Sequence, residues 1–128
     1  MSRGLADTSL FVARETGRPV ATEAIPDELT VSAVTIGELT AGVLVAAEAT
    51  TRARRLRTLT FAQSLDPLPI DDEVAAAWAM LRVVLRDRGL RMPVNDSWIA
   101  ATAMSLEVPV VTQDDDYPTL PELEVIRV

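Results

Sequence analysis

Apolar positions along the chain follow two patterns, short β-branched runs and longer stretches with helical spacing. The short runs predict strands, and they cover residues 5–6, 29–34, 68–70, 109–112 and 124–128. Helical patterns lie between them, over residues 9–15, 35–48, 50–65, 71–88 and 95–107. Strands that alternate with helices indicate a parallel sheet flanked by helices. We therefore expect an α/β fold in a single domain over residues 1–128.

The fourth predicted helix has the clearest apolar stripe. Val74, Trp78, Leu81 and Leu85 follow one another at spacings of four, three and four residues. This periodicity places them on one helix face, which predicts contact with the core. We expect Trp78 and Met80 to be core residues rather than parts of a cofactor site.

The composition excludes many kinds of active site. The chain contains no histidine, cysteine or lysine, and all twelve basic residues are arginines. Ser–His triads, cysteine nucleophiles, zinc sites built on Cys or His, Schiff-base lysines and lysine-containing phosphate loops are therefore absent. The same lack of lysine argues against sites of the phospho-receiver and haloacid-dehalogenase kinds. Carboxylates, hydroxyls and arginines remain, and carboxylates suit Mg²⁺ or Mn²⁺.

The net charge of the chain indicates which kinds of partner it can bind. The net charge is −7, which by itself argues against unaided binding of nucleic acid. It fits a carboxylate metal site or a basic protein partner. The longest apolar run, residues 41–47, is too short to span a bilayer. Asp7 interrupts the segment where a signal peptide would be apolar, so we expect a cytoplasmic protein.

Acidic residues recur where predicted strands end. Asp7 ends the first strand, and Glu38 lies early in the helix after the second. Asp96 begins the last predicted helix, and Asp114 and Asp116 follow the strand at 109–112. Ligands of such folds bind at the carboxyl ends of the strands. We therefore expect these side chains to meet at one edge of the sheet.

Each of these residues also has a purely structural interpretation. Thr35 and Glu38 match the T-x-x-E capping box, and Asp96 could be a helix cap. Asp7 could be a turn residue, and Asp115 fits an exposed charge run. The capping and metal roles can coexist. Several carboxylates at one predicted edge, in a chain without other catalytic side chains, favour a metal site.

Five segments, taken together and in this order, identify a protein family more specifically than any one segment does. They are LADTSLFVARE, SAVTIGELTAGVL, PLPIDDEVAAAWAMLR, VNDSWIAATAM and PVVTQDDDY, and together they cover nearly the whole chain. In this combination the sequence resembles the PIN-domain ribonucleases, specifically the VapC-type toxins of toxin–antitoxin pairs. The resemblance implies a three-layer α/β/α PIN-like domain with a central, mostly parallel sheet of four to five short strands.

The resemblance also implies an activity and partners. The expected function is a metal-dependent endoribonuclease toxin that uses Mg²⁺ or Mn²⁺ and is inhibited by a cognate VapB-type antitoxin. RNA is the expected substrate, with tRNA as one candidate, and a homodimer is the expected assembly. Two other functions stay open: a PIN-fold protein-binding module with little or no catalysis, and a Mg²⁺-dependent phosphatase or phosphodiesterase.

Residue roles follow by matching the motifs. The resemblance implies four catalytic residues: Asp7, Glu38, Asp96 and Asp114. It implies four metal ligands: Asp7, Asp96, Asp114 and Asp116. Tyr117 stands where the family usually has Phe, and we expect similar packing and little change. Three hydroxyl residues could orient the carboxylates or serve only turns and caps: Thr8, Ser9 and Thr112.

The arginines form two groups along the chain. One lies on the third predicted helix and comprises Arg52, Arg54, Arg55 and Arg57. The other lies on or after the fourth and comprises Arg82, Arg86, Arg88 and Arg91. Most fit a solvated helix face with local ion pairs. Some could instead bind RNA phosphates, and the sequence does not identify which.

Overall fold

The computed structural model describes residues 1–128, and its central element is a sheet of four strands. The strands are β1 (Arg3–Ala6), β2 (Glu28–Val31), β3 (Val110–Thr112) and β4 (Val125–Arg127). Their order is β2-β1-β3-β4, and every neighbouring pair is parallel. The carboxyl ends of all four strands therefore lie at one edge, as the sequence pattern predicts.

Five α-helices connect the strands, with a 3-10 turn at Thr22–Ala24. They are α1 (Thr8–Thr16), α2 (Ala33–Val45), α3 (Ala49–Gln63), α4 (Asp72–Asp87) and α5 (Val94–Leu106). None of them has the length and apolar character needed to cross a membrane.

Apolar clusters cover both faces of the sheet. Leu5 belongs to a cluster formed with α4 and α5, whereas its neighbour Ala6 belongs to one formed with α1 and α3. Successive side chains of a strand point to opposite faces, so β1 contributes to both clusters. Ala100 and Ala103 are fully buried, which lets α5 approach the sheet closely. The predicted three-layer α/β/α arrangement is confirmed.

The boundary between β2 and α2 differs from the prediction. The strand ends at Val31, and the side chain of Ser32 accepts a hydrogen bond from the Val34 N–H at 3.1 Å. Ser32 is therefore the N-cap, and the helix begins two residues earlier than expected. Thr35 lies inside α2, so the predicted capping box with Glu38 does not form.

The start of α5 also corrects an expectation. The helix begins at Val94 after Pro93, and no side chain caps it. Asn95 and Asp96 lie in the first turn, so neither is the N-cap. The carboxylate of Asp96 is thereby free for a role other than capping.

The predicted strand at 68–70 is wrong. Leu68 makes only an isolated bridge to Ser32, through hydrogen bonds to its neighbours Val31 and Ala33. The residues on either side of Leu68 are prolines, which have no N–H to extend a ladder.

The apolar stripe of α4 is largely as predicted. Val74, Leu81 and Leu85 are buried, and Trp78 is half-buried and stacked on Trp98. Met80 is 51% exposed, so its assignment to the core is wrong. It lies two residues beyond Trp78, about 200° around the helix, which turns it away from the sheet.

Candidate metal centre

Three carboxylates meet at the carboxyl edge of the sheet. Each of Asp7, Asp96 and Asp114 offers one oxygen, and these oxygens all lie within 4.8 Å of one another. They come from the end of β1, the first turn of α5 and the loop after β3. The cleft that they line has a volume of about 310 Å³ and also contains Thr8 and Glu38.

Asp7 is the innermost member and is held by four hydrogen bonds. Its side chain is almost fully buried, and it also caps α1 by accepting from the Ser9 N–H at 3.3 Å. Oδ2 further accepts from Ser9 Oγ at 2.6 Å and from Thr112 Oγ1 at 2.9 Å. Oδ1 accepts from the Tyr117 hydroxyl at 2.9 Å. These donors fix the orientation of the carboxylate.

The two hydroxyls on Oδ2 are themselves oriented by the backbone. The Gln113 N–H donates to Ser9 Oγ at 3.0 Å, and the Asp114 N–H donates to Thr112 Oγ1 at 2.9 Å. Each hydroxyl has a single proton, and that proton goes to Asp7. The loop after β3 therefore determines where the Asp7 carboxylate points.

Tyr117 does more than the ring packing expected from the sequence. Its side chain is only 1% exposed, and its hydroxyl supplies the donor to Asp7 described above. Burial raises the pKa of Tyr117, and the charges of Asp7, Asp96 and Asp114 raise it further. The phenol is therefore a neutral donor at physiological pH. A phenylalanine would fill the same space without this hydrogen bond.

Glu38 lines the same cleft but stands outside the group of three. Thr8 Oγ1 donates to its Oε1 at 2.7 Å, and Asn95 Nδ2 donates to its Oε2 at 3.4 Å. Because the Thr8 proton goes to Glu38, the contact of 2.9 Å between Thr8 and Thr35 must have Thr35 as its donor. Thr35, which the sequence predicts as a cap, instead lies inside α2 and supports Glu38 through its hydrogen bond to Thr8.

The outer carboxylates repel one another. Burial raises the pKa of Asp96 to about 7, with further contributions from Asp7, Asp114, Asp116 and Glu38. Burial also raises the pKa of Asp114, together with the charges of Asp7 and Asp116. Like charges in a poorly solvated cleft disfavour ionisation. A bound cation would remove that cost.

Only the first aspartate of the run at 114–116 belongs to the group of three. Asp116 is exposed and stands outside the group, although its charge contributes to the raised pKa of Asp96. Asp115 is fully exposed and lies 3.7 Å from Arg127. The interpretation of Asp115 as a surface charge agrees with this position.

Sequence reasoning missed two contacts of the site and one lining residue. They are the Tyr117 hydroxyl on Asp7, the Asn95 amide on Glu38, and Arg18 at the cleft. Two features of the sequence could have indicated these contacts: the hydroxyl-bearing ring of Tyr117 directly after the acidic run, and the amide of Asn95 beside Asp96. Arg18 had none, because it lies apart from both groups of arginines in the sequence.

The donor set of the cleft fits a hard divalent cation. Three carboxylate oxygens lie close enough to share one ion, and neither nitrogen nor sulfur ligands are near, since the chain has no histidine or cysteine. Mg²⁺ and Mn²⁺ prefer such oxygen ligands. The raised pKa of Asp96 indicates that a positive charge in the cleft would be favourable.

A parallel sheet between helices, with carboxylates gathered at its carboxyl edge, is the arrangement expected of a PIN domain. The PIN domain family model matches residues 5–123, and the chain belongs to this family. It is 46% identical over 128 residues to Ribonuclease VapC5 of Mycobacterium tuberculosis, covering 98% of this chain and 95% of that protein. It is 48% identical over 131 residues to Ribonuclease VapC4 of the same organism, covering 98% and 97%.

A solved structure agrees with these relatives. The crystal structure of VapBC-5, a member of the VapBC family of toxin–antitoxin systems from Mycobacterium tuberculosis, matches with a TM-score of 0.91 at 42% identity. The match covers 100% of both chains. Within the PIN family the chain therefore groups with the VapC proteins, which confirms the resemblance seen in the sequence.

Proposed function

We propose that this protein is a metal-dependent endoribonuclease toxin that hydrolyses RNA phosphodiester bonds. The observation that carries the proposal is the close approach of the Asp7, Asp96 and Asp114 oxygens in a PIN fold. Near full-length relatives that are named ribonucleases support it. The absence of other catalytic side chains also favours chemistry based on carboxylates and a metal ion.

We assign the metal site to Asp7, Asp96 and Asp114, with Asp116 assisting from the rim. Mg²⁺ or Mn²⁺ is the proposed ion. When bound, such an ion lowers the pKa of a coordinated water and neutralises charge on the phosphate. Ser9, Thr112 and Tyr117 keep the Asp7 carboxylate in a fixed orientation, which prepares one ligand before the ion arrives.

Glu38 is the acidic residue of the cleft outside the group of three, and we assign it a proton-transfer role. Both of its oxygens already accept hydrogen bonds, from Thr8 and Asn95, but each retains a second lone pair. A carboxylate oriented in this way can accept a proton from the attacking water. Thr8 and Asn95 are then positioning residues for Glu38.

The acidic cleft also suggests how the toxin would be inhibited. We propose a VapB-type antitoxin as the partner, supported by the solved VapBC-5 toxin–antitoxin structure of a relative. An arginine or lysine from such a partner could pair with the carboxylates and compete with the metal. We further propose a homodimer acting in the cytoplasm, where RNA substrates such as tRNA are present.

Incubation with bulk tRNA and Mn²⁺, followed by gel electrophoresis, tests the proposed activity. We expect discrete fragments, and we expect them to disappear when EDTA is added or when the co-expressed antitoxin is bound. Cleavage that persists in EDTA would contradict the metal mechanism. Binding of a partner without any RNA cleavage would favour a protein-binding module instead.

A further inference from the structure

The arginine side chains differ in whether they already have a partner. Nine of the twelve make an ion pair, a hydrogen bond or a cation–π contact: Arg3, Arg14, Arg52, Arg54, Arg55, Arg82, Arg86, Arg88 and Arg127. The remaining three make none: Arg18, Arg57 and Arg91. A guanidinium without a protein partner is available for a ligand.

Among these three, Arg18 alone lines the acidic cleft. It shares the cleft with Asp7, Asp96 and Asp114, and its side chain is exposed. Although burial and the neighbouring carboxylates raise the pKa of Asp114, Arg18 acts in the opposite direction. The guanidinium is therefore within electrostatic reach of the site without being paired to any of its carboxylates.

The backbone that carries Arg18 is fixed on both sides. Gly17 has a left-handed φ of 72° and ends α1, and the Arg18 N–H donates to the Ala13 carbonyl at 2.9 Å. The next residue is Pro19, whose carbonyl accepts from Gln113 Nε2 at 2.8 Å. Because Gln113 directly precedes Asp114, this bond ties the Arg18 turn to the loop that supplies one of the carboxylates.

We propose that Arg18 binds a backbone phosphate of the RNA as the substrate enters the cleft, an inference that rests on the proposed ribonuclease function. RNA must approach a chain of net charge −7 through a cleft lined by carboxylates. An unpaired guanidinium at that cleft supplies the missing attraction, and its planar fork matches a phosphate group. Arg18 is thus the substrate-binding arginine that neither arginine group of the sequence contains.

Three variants test this role. Arg18→Gln removes the charge, Arg18→Lys keeps the charge without the fork, and Arg3→Gln removes an exposed arginine where β1 begins, at the opposite edge of the sheet. With a defined RNA and Mn²⁺, we expect KM to rise about ten- to a hundredfold in Arg18→Gln, the usual range for a hydrogen bond to a charged group. Arg18→Lys should recover part of the loss, and Arg3→Gln should match the native protein.

Two further measurements separate RNA binding from other effects. Calorimetric titration with Mn²⁺ alone should show equal or tighter binding in Arg18→Gln, because a nearby positive charge is gone. RNA binding can be measured in EDTA, which we expect to prevent cleavage. Under these conditions the slope of log affinity against log salt should become shallower by about 0.7, the value for one phosphate contact on a single strand.

Several outcomes would overturn the proposal. An unchanged KM and salt slope in Arg18→Gln, while the native protein cleaves RNA, would remove Arg18 from substrate binding and leave the proposed function intact. Weakened Mn²⁺ binding in parallel with KM would show that Arg18 acts through the metal site. Unchanged RNA kinetics with lost antitoxin inhibition would assign Arg18 to the protein partner. If the native protein cleaves no RNA, the proposed function fails, and the binding slope still decides the role of Arg18.

Discussion

Two aspartates of the acidic cleft differ in how the fold stabilises their charge. We call the side of the cleft that carries Asp7 its inner wall and the side that carries Asp96 its outer wall. Asp7, on the inner wall, is buried and accepts four hydrogen bonds from Ser9, Thr112 and Tyr117. Asp96, on the outer wall, is half-buried, and its carboxyl has a pKa raised to about 7 by burial and by its neighbours. The fold stabilises the first carboxylate through hydrogen bonds, whereas the charge of the second is unfavourable and would be compensated by a cation.

The two aspartates therefore have different roles in the site. The inner wall fixes the direction of a ligand before any ion is present, since its donors are one backbone N–H, the partly buried Ser9 and the buried side chains of Thr112 and Tyr117. The outer wall is electrostatically unfavourable without a positive charge, so a bound cation would stabilise the fold. Substitutions on one wall should therefore have different effects from substitutions on the other.

The largest effect should come from removing an outer-wall charge. Asp96→Asn keeps the shape of the side chain, and no cap is lost because Asp96 is not the N-cap of α5. We expect RNA cleavage to fall at least about a hundredfold, the order of one essential catalytic contact. Initial rates with Mn²⁺ measure it. Asp115→Asn, a substitution of a fully exposed aspartate, is the matched control and should cleave at the native rate.

Metal should stabilise the native protein strongly. Mn²⁺ or Mg²⁺ binds the folded state preferentially, and at a hundred times the dissociation constant the gain is about 2.7 kcal/mol. Thermal melts with and without EDTA measure the shift. Asp96→Asn should show a smaller shift at the same metal concentration. If the melting temperature of the native protein does not change when metal is added, a cation does not stabilise the outer wall.

The inner wall should affect metal affinity through its donors. Tyr117→Phe keeps the ring and removes only the hydrogen bond to Asp7 Oδ1. Loss of a group that orients a metal ligand typically weakens binding by about ten- to a hundredfold, and we expect the lower end. Mn²⁺ titration measures it, with Ser105→Ala as control because that hydroxyl bonds only the backbone of its own helix. An affinity equal to that of the native protein would show that the remaining donors suffice.

The smallest effect is a pH dependence in the absence of metal. Since the pKa of Asp96 is raised from 3.8 to about 7, the folded state binds a proton between these values that the unfolded state lacks. Stability should therefore fall as pH rises from about 4 to 7. In EDTA, Asp96→Asn should melt at or above the native temperature at pH 8, and this advantage should become clearly smaller at pH 5. Melts that favour the native protein at both pH values would contradict the assigned repulsion.

The sequence predicted the elements that local patterns determine. The three carboxylates follow short strands or open a helix, so the parallel topology alone brings Asp7, Asp96 and Asp114 to one edge. The β2–α2 boundary was harder, because Ser32 and Thr35 are both plausible caps three residues apart. The structure uses Ser32, and the Thr35 hydroxyl bonds Thr8, 27 residues away.

The internal support of the site was beyond local patterns. The Tyr117 ring could be predicted to pack, but its hydroxyl finds Asp7 only because β1 and β3 are neighbours in the sheet. Likewise, Arg18 reaches the cleft through a turn that a distant glutamine holds. Such contacts depend on tertiary pairing, which residue spacing does not encode.

The hydrogen bonds on Asp7 join the two ends of the described chain. Those from Thr112 and Tyr117 span 105 and 110 residues. A protein emerges from the ribosome with its N-terminal residues first, so a growing chain carries Asp7 long before Asp114 and Tyr117 exist. The nascent polypeptide consequently has no complete group of carboxylates until the loop after β3 has been made. A chain that ends before β3 lacks Asp114 and therefore one of the three carboxylates of the site.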